Sequence, residues 1–245
     1  MFAPAWARRP GTAAQAPGSS APIPTAALPP LSAPAARLWE ALAAHVLDAE
    51  TGPDLVNPYR DASPALDADG APAIRRDNLR AAVAAVPERL GVLVVAEAPG
   101  PSGCRFSGVP LVSESLLLDP GFPLDGRPTS LRALHGEPLR EYSGGIYWRV
   151  MRPRWGRFWT WNAVPHHPHK PGLPLTIRAP RVREVRAAAD GLRAVVEALR
   201  PERVVALGRV AERSLLALDV PCTYVRHPSQ GGARAFEAGM AEVFG

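Results

Sequence analysis

The chain has 245 residues, and 47% of them are hydrophobic, which is enough for a sizeable core. No apolar run approaches the roughly 18 residues that span a bilayer. The two cysteines exclude a disulfide framework and a four-cysteine metal or cluster site. We therefore expect a soluble, cytoplasmic protein without membrane contact. The sequence has no heptad pattern that would predict an oligomer, so a monomer is expected.

Residues 1–34 are rich in Pro, Ala, Gly and Ser. Such a composition cannot bury enough apolar surface to offset its ordering entropy, so a disordered tail is predicted. Residues 35–245 are predicted to form one domain. It begins with helices over 35–47 and 76–85, which flank a loop over 51–73.

The rest of the chain alternates between short apolar runs and helical patterns. The predicted buried strands are Val92–Ala96, Phe158–Ala163, Val204–Leu207 and Thr223–Val225, and the predicted helices between them are Val182–Leu199 and Arg209–Leu218. A short hairpin is predicted around Gly144-Gly145, in a segment rich in Gly, Pro and Arg. The pattern predicts an α/β fold with three αβα layers and a central, mostly parallel four-stranded sheet.

Basic residues are concentrated in one stretch of the chain. Between residues 149 and 186 the sequence has nine basic residues and one acidic residue, Glu184, although the net charge of the whole chain is only +5. The basic residues are Arg149, Arg152, Arg154, Arg157, Lys170, Arg178, Arg181, Arg183 and Arg186. GC-rich codon usage would explain the preference for arginine, whereas the concentration favours contact with a nucleic-acid backbone.

Three of the predicted strands end in loops that carry polar side chains, glycine and proline. The segments are Ala96-Glu97-Ala98-Pro99-Gly100, Trp161-Asn162-Ala163-Val164-Pro165 and Val225-Arg226-His227-Pro228-Ser229-Gln230-Gly231-Gly232. Because parallel strands place their carboxyl ends at one edge of a sheet, these loops are predicted to form one site. The site would offer a carboxylate, an amide and an imidazole. This set suits reading a base and cleaving its bond to a sugar.

In this order, the three segments resemble the motifs of the uracil-DNA glycosylase superfamily, and the resemblance extends from about Gly91 to Phe236. The first segment is similar to the family 4 form, Gly-Glu-Ala-Pro-Gly. Asn162 falls where the superfamily carries the asparagine that reads uracil, and His227-Pro228-Ser229 resembles the motif with the catalytic histidine. The resemblance implies a monofunctional enzyme, without a cofactor, that flips a deaminated base, most simply uracil, out of DNA and hydrolyses its N-glycosidic bond in base excision repair.

Three side chains carry the roles that this chemistry requires. The Asn162 amide offers a donor and an acceptor to the adjacent O4 and N3–H of uracil. His227 would donate to O2 as negative charge develops there. Glu97, with the backbone of Ala98, would position the water. Each side chain has a structural alternative: a loop cap for Asn162, a packed ring for His227 and a loop brace for Glu97.

The sequence departs from families 1 and 2 at Ala98, where family 4 also has alanine, and from the resembling pattern at Leu111. Families 1 and 2 have Asp or Asn where Ala98 stands, and the pattern has an aromatic residue, which stacks on the base, where Leu111 stands. Phe106 is the alternative stacking residue, and Gly100 is expected beside the sugar. The remaining DNA contacts are predicted for Pro101, Ser102, Lys170, Arg226, Ser229, Gln230, Gly231 and Arg234.

The run His166-His167-Pro168-His169-Lys170 raises the question of a zinc site. Adjacent histidines on a proline-stiffened loop lack the spacing of metal ligands, so a DNA-facing loop and no metal are predicted. The cysteine count also excludes the four-cysteine iron–sulfur cluster of family 4.

Three other functions stay open. Leu111 would open the pocket to larger bases, which favours a glycosylase for deaminated purines. Ala98 and Leu111 also fit a lesion-sensing DNA-binding relative with weak or no catalysis. The α/β pattern alone fits a nucleotide-binding protein unrelated to repair.

Overall fold

The computed structural model describes residues 29–124, 130 and 138–245, so the predicted tail lies, up to residue 28, outside the described residues. The helices are α1 (Ala33–Leu42), α2 (Ala71–Ala84), α3 (Cys104–Ser107), α4 (Glu114–Leu117), α5 (Tyr142–Met151), α6 (Val182–Ala187), α7 (Ala189–Leu199), α8 (Arg209–Leu216) and α9 (Ala233–Phe244). The strands are β1 (Leu55–Val56), β2 (Val92–Ala96), β3 (Phe158–Asn162), β4 (His167–Pro168), β5 (Arg203–Leu207) and β6 (Thr223–Val225). Within these ranges, none of the helices has the length and apolar character needed to cross a membrane.

The central sheet is parallel throughout and has the strand order β3-β2-β5-β6. Strands β2 and β3 pair in register, with Val92 opposite Phe158 and Ala96 opposite Asn162. Every residue of these two strands is buried, as expected where helices cover both faces of a parallel sheet. The four predicted strands and the α/β class are confirmed, and the strand bounds differ from the prediction by at most one residue.

Side chains alternate between the two faces of the sheet along each strand. One face packs against α1, α2, α7 and α8, through Leu93, Val95, Trp159, Trp161, Val204 and Ala206. The other packs against α5 and α9, through Val92, Val94, Phe158, Val205, Leu207 and Val225. Two separate apolar cores, one on each face, thus produce the predicted three layers.

The predicted helices exist, with changes at their ends. Helix α1 begins two residues before its predicted start, because the Ser32 side chain accepts a hydrogen bond from the Ala35 amide (3.4 Å). A π-helical turn then extends it to Leu47, its predicted end. Helix α2 also begins earlier than predicted, with proline in its first turn. The long helix predicted before β5 is divided at Ala188.

The hairpin predicted around Gly144-Gly145 is wrong, because both glycines lie in α5. This helix buries Ile146, Tyr147 and Met151 in the second core, and that burial outweighs the low helix propensity of two glycines. Gly144 also permits a close approach. A Cβ on this residue would lie 2.6 Å from the carbonyl oxygen of Leu111.

Gly144→Ala is expected to lower the free energy of unfolding by about 1–3 kcal/mol, because the backbone at Leu111 must move to admit the methyl group. Gly145 is the matched control, since a Cβ there meets no heavy atom within 4 Å. Gly145→Ala should be neutral or stabilise the protein by up to about 1 kcal/mol through helix propensity. Urea denaturation measures both, and equal stabilities would contradict this packing of α5.

A small antiparallel sheet, which the sequence did not predict, joins the segment 51–73 to the loop after β3. It consists of β1 and β4, with Val56 opposite His167. The buried Asn57 side chain fixes the chain beyond β1, because its Nδ2 donates to carbonyls at the end of the first helix (2.9–3.3 Å). The predicted loop is therefore packed against the domain.

A buried ionic cluster connects α2 and α3 to the segment before α2. The Arg105 guanidinium forms two hydrogen bonds with Asp67 (2.9 and 3.0 Å), and Arg75 lies 3.6 Å from the same carboxylate. Arg75 also donates to the carbonyls of Arg105 and Asp61 (3.0 and 2.9 Å). Burial, followed by the neighbouring Arg105, lowers the pKa of Arg75 to about 10. Among the described residues, Asp67 is therefore the carboxylate that lies against both guanidinium groups inside the fold.

Candidate active site

The three motif segments lie at the carboxyl edge of the sheet. The Val164 amide, beyond β3, donates to the Glu97 carbonyl (3.0 Å), beyond β2. At the end of β5 the Gly208 amide donates to the Val225 carbonyl (3.0 Å). Strand β5 thus connects the third segment to the other two, and the loops form one continuous edge.

Glu97 braces its loop against α8. Its Oε1 accepts a hydrogen bond from the Val210 amide in the first turn of that helix (3.0 Å). A Cβ on Gly208, which has a φ of 98°, would lie 2.5 Å from the same oxygen, so glycine leaves room for the carboxylate. The negative charge of Glu97 also acts on His227. Glu97 therefore connects the first motif to the third.

His227 presents one ring nitrogen to its own loop. Its Nδ1 lies 2.8 Å from the Ser229 hydroxyl and accepts from the Ser229 amide (3.2 Å). An amide can only donate, so in the neutral ring Nδ1 is the acceptor and Nε2 carries the proton. Burial lowers the pKa of His227, with Glu97 opposing and Arg226 adding to that shift. The geometry and the lowered pKa both favour a neutral imidazole, whose Nε2–H has no hydrogen-bond partner among the described residues.

The third motif turns sharply after His227. Gln230 and Gly231 have φ values of 50° and 76°, and a Cβ on Gly232 would collide with the His227 carbonyl oxygen. Arg226 donates to the Gln230 carbonyl across the turn (3.5 Å). The small residues thus let the backbone fold back on the histidine.

Asn162 is buried, at 2% exposure, at the end of β3. Its Nδ2 donates to the Sγ of Cys104 at 3.8 Å. Burial raises the pKa of the Cys104 thiol, which therefore stays protonated. Behind it, the Tyr59 hydroxyl donates to the Gly108 carbonyl (2.9 Å). The amide is thus fixed through one N–H, and its oxygen and second N–H have no other hydrogen-bond partner in the described part of the chain.

The two candidate stacking residues are both buried. Leu111, at 7% exposure, has a φ of 58° and accepts a hydrogen bond from Trp148 Nε1 at its carbonyl (3.0 Å). Phe106 is 1% exposed, and the Arg105 guanidinium lies 4.6 Å from the centre of its ring. A cation therefore already covers one face of the Phe106 ring.

The histidines that follow Asn162 point into the fold. His167 Nδ1 lies 2.8 Å from the Pro99 carbonyl and its Nε2 lies 3.1 Å from the Pro174 carbonyl. His166 and His169 also face carbonyl oxygens (3.5 and 2.9 Å). Among residues 29–124, 130 and 138–245, no group of three or more His, Cys, Asp or Glu side chains is placed to hold a metal ion. Of this run, only Lys170 is exposed.

The basic stretch does not form one surface. Arg178 pairs with Glu184 (2.7 Å), Arg181 pairs with Asp54 and Arg152 with Asp119 (2.8 Å). Arg154 and Arg157 lie over the Phe244 ring at 5.3 and 5.4 Å, and Arg157 directly precedes β3, at the sheet edge opposite the motifs. Several of the nine charges therefore contribute to the fold, and the sequence interval does not define a nucleic-acid interface.

The predicted DNA contacts lie on the motif loops and the segments that follow them. The exposed ones are Lys170, Arg226, Gln230, Gly231 and Arg234, the half-buried ones are Pro101, Ser102 and Ser229, and Gly100 is buried. Arg209, which the sequence did not single out, begins α8 at the same edge and lies over Tyr224, 4.0 Å from the ring centre.

The sequence missed three residues behind the first and second motifs. Cys104 accepts the hydrogen bond from Asn162, and the Tyr59 hydroxyl acts on the Cys104 thiol. Glu141, just before α5, has a buried Oε2 atom that finds no hydrogen-bond partner in the described ranges. Of these three, Cys104 could have been found from the sequence, because it lies four residues after Gly100. Tyr59 and Glu141 could not, because only the folding of the 51–73 segment and of α5 brings them close to the motifs.

Comparison with known proteins agrees with this geometry. A family model described as the uracil DNA glycosylase superfamily matches residues 83–242. No curated protein matches the sequence significantly. Among solved structures, the crystal structure of wild-type SMUG2 from Pedobacter heparinus is similar, with a TM-score of 0.53 and 11% identity, over 86% of this chain and 95% of that chain. This likeness shows a shared fold, and the family match covers more than half of the sequence. The chain belongs to the uracil DNA glycosylase superfamily.

Proposed function

We propose that the protein is a monofunctional DNA glycosylase that flips a deaminated base, most simply uracil, out of DNA and hydrolyses its N-glycosidic bond in base excision repair. The observation that carries the proposal is the His227 ring at the same sheet edge as the Asn162 amide: its Nδ1 accepts from the Ser229 amide, its lowered pKa favours the neutral form, and its Nε2 has no partner in the described part of the chain. Superfamily membership supports a DNA glycosylase in general. The proposal needs no cofactor, and it includes action as a monomer in the cytoplasm.

In this proposal Asn162 reads the base and His227 stabilises the base as it leaves. The amide oxygen of Asn162 accepts from N3–H of uracil, and its free N–H donates to O4. As the bond to the sugar breaks, negative charge develops on O2, where the Nε2–H of His227 donates. A preorganised donor of this kind lowers the barrier by about 3 kcal/mol.

The first motif shapes the sugar side of the site. Ala98 offers only its backbone, and Glu97 contributes a charge that is already bound to the Val210 amide. Leaving-group stabilisation by His227 therefore carries most of the catalysis in this proposal. The loops that hold Pro101, Ser102, Ser229, Gln230 and Gly231 would contact the DNA backbone, with Lys170, Arg226 and Arg234 supplying positive charge.

A second candidate substrate is a deaminated purine. It is favoured by Leu111, which would form a wall of the base pocket without an aromatic face, and by Phe106, whose ring is buried under Arg105. A pocket whose wall does not stack on a small pyrimidine base discriminates less strongly against a larger purine base.

Oligonucleotides that carry one uracil, hypoxanthine or xanthine test the proposal, with abasic sites revealed by alkaline cleavage. We expect product from the wild type on at least one substrate, and at least a tenfold loss with Asn162→Ala, since one good bidentate pair contributes about 1–3 kcal/mol. Product from uracil alone would name that substrate, and product from hypoxanthine or xanthine would support the purine candidate. Tight, salt-sensitive DNA binding without any product would contradict the proposal and favour the lesion-sensing alternative.

A further inference from the structure

Glu141 occupies a space that glycines leave open. It is the residue before α5, and its carboxyl group lies where Cβ atoms on Gly100 and Gly103 would be, so either Cβ would collide with it. A Cβ on Gly144 would also approach within 3.1 Å of Oε2. Two of these glycines belong to the segment of the first motif and the third to α5. The carboxyl group is therefore wedged between the first motif and α5.

Within the part of the chain that the structure describes, no hydrogen bond explains the burial of one oxygen of this carboxyl group. Oε2 of Glu141 is buried and has no partner among those residues, and the side chain does not cap α5. Burying an unpaired carboxyl oxygen is unfavourable, so such a group in a native protein calls for an explanation, and a catalytic role is one of the recognised ones. Stability alone does not account for Glu141.

The position of Glu141 connects it to the base-reading side of the site. Gly100, against which it packs, lies two residues after Ala98. The charge of Glu141 also acts on the thiol of Cys104, which accepts the hydrogen bond from Asn162. The carboxyl group thus borders the site beside the first motif, where Ala98 offers water no polar side chain and Glu97 is bound to Val210.

We propose that Glu141 is the carboxylate that binds and deprotonates the attacking water; this inference rests on the proposed glycosylase function. The water oxygen forms a bond to C1′ of the sugar as the bond from C1′ to the base nitrogen breaks. The bonding electron pair leaves with the base, whose O2 is held by His227. The proton of the water passes to Glu141, and the base anion takes its proton from solvent.

The ionisation of Glu141 suits this role. Burial raises its pKa to about 7, which is the range in which a general base is effective at neutral pH. The Cys104 thiol and the Tyr59 hydroxyl, on the same side of the site as Glu141, stay neutral, because burial raises the pKa of both. The pKa of His227 is lowered. The excision rate is therefore expected to rise with pH through about 7 and then reach a plateau, as Glu141 loses its proton.

Glu141→Gln tests the proposal, with Glu202→Gln as the matched control at the opposite edge of the sheet, before β5. Because Oε2 has no partner, the glutamine variant should fold as well as the wild type. We expect a loss of about a hundredfold in the single-turnover excision rate at pH 8, from the usual range for general-base catalysis. Binding of DNA that carries a non-hydrolysable 2′-fluoro nucleotide should be unchanged. The rise in rate with pH through 7 should disappear, and formate should partly restore the rate of Glu141→Ala.

The outcomes separate this inference from the proposed function. An active wild type, an inactive His227→Ala variant and a Glu141→Gln variant at the wild-type rate would overturn the role of Glu141 alone. A Glu141→Gln variant that loses rate and DNA binding together, with its pH profile unchanged, would also overturn it. No excision by the wild type on any of the three bases would overturn both proposals.

Discussion

His227→Ala is expected to lower the single-turnover rate of base excision by about 10²–10³-fold, the loss measured when one preorganised donor to a developing anion is removed. The variant should keep its stability and its affinity for DNA, because among the described residues the ring bonds only with Ser229, in its own turn. Quenched-flow or manual single-turnover assays measure the rate, and thermal unfolding checks the fold.

Ser229→Ala is the matched control. It removes the hydroxyl but keeps the Ser229 amide, which alone fixes Nδ1 as the acceptor. The proton therefore stays on Nε2, and a loss of less than about tenfold is expected, as for one neutral hydrogen bond. If Ser229→Ala were as slow as His227→Ala, the amide would not be what sets the tautomer. If His227→Ala kept the wild-type rate, the assigned role of His227 would be wrong.

Asp67→Ala is expected to lower the free energy of unfolding by about 3–5 kcal/mol, the usual cost of removing one partner of a buried ion pair. The substitution would leave the guanidinium groups of Arg75 and Arg105 without their carboxylate, and both side chains are at most 1% exposed. Urea denaturation monitored by the tryptophan fluorescence of the domain measures the effect.

Asp119→Ala is the control for Asp67→Ala. Asp119 also pairs with an arginine, Arg152, at 2.8 Å, but both side chains are about 40% exposed. Such surface pairs contribute about 0–1 kcal/mol. A similar loss of stability in both variants would show that the buried cluster contributes no more to the free energy of unfolding than the exposed pair does.

The strands and the motif loops could be predicted because their signals are local. Val92–Ala96 is apolar at every position, as a strand buried on both faces must be. The loops with Glu97, Asn162 and His227 follow directly from strand ends, and parallel topology is enough to bring them to one edge. Neither the fold class nor this edge needed information from distant parts of the chain.

The errors and omissions arose where distant segments meet. Gly144 and Gly145 indicate a turn when considered alone, and it is the burial of Ile146, Tyr147 and Met151 in the second core that explains a helix there. The basic stretch looked like an interface because its partners, such as Asp54 and Phe244, lie far away in sequence. Glu141 gave no signal because its neighbours are glycines from another part of the chain.

The ring of His167 faces two acceptors but has, when neutral, a single proton to share between them. Burial lowers its pKa, although the carbonyls of Pro99 and Pro174 oppose that shift. The neutral ring can therefore satisfy only one carbonyl at a time, and its tautomer decides whether the first-motif loop or the loop at Pro174 is held. The two loops compete for one hydrogen. A substitution that repositions Pro174 would thus change how firmly Pro99, in the first motif, is held, without altering any residue of the motif itself.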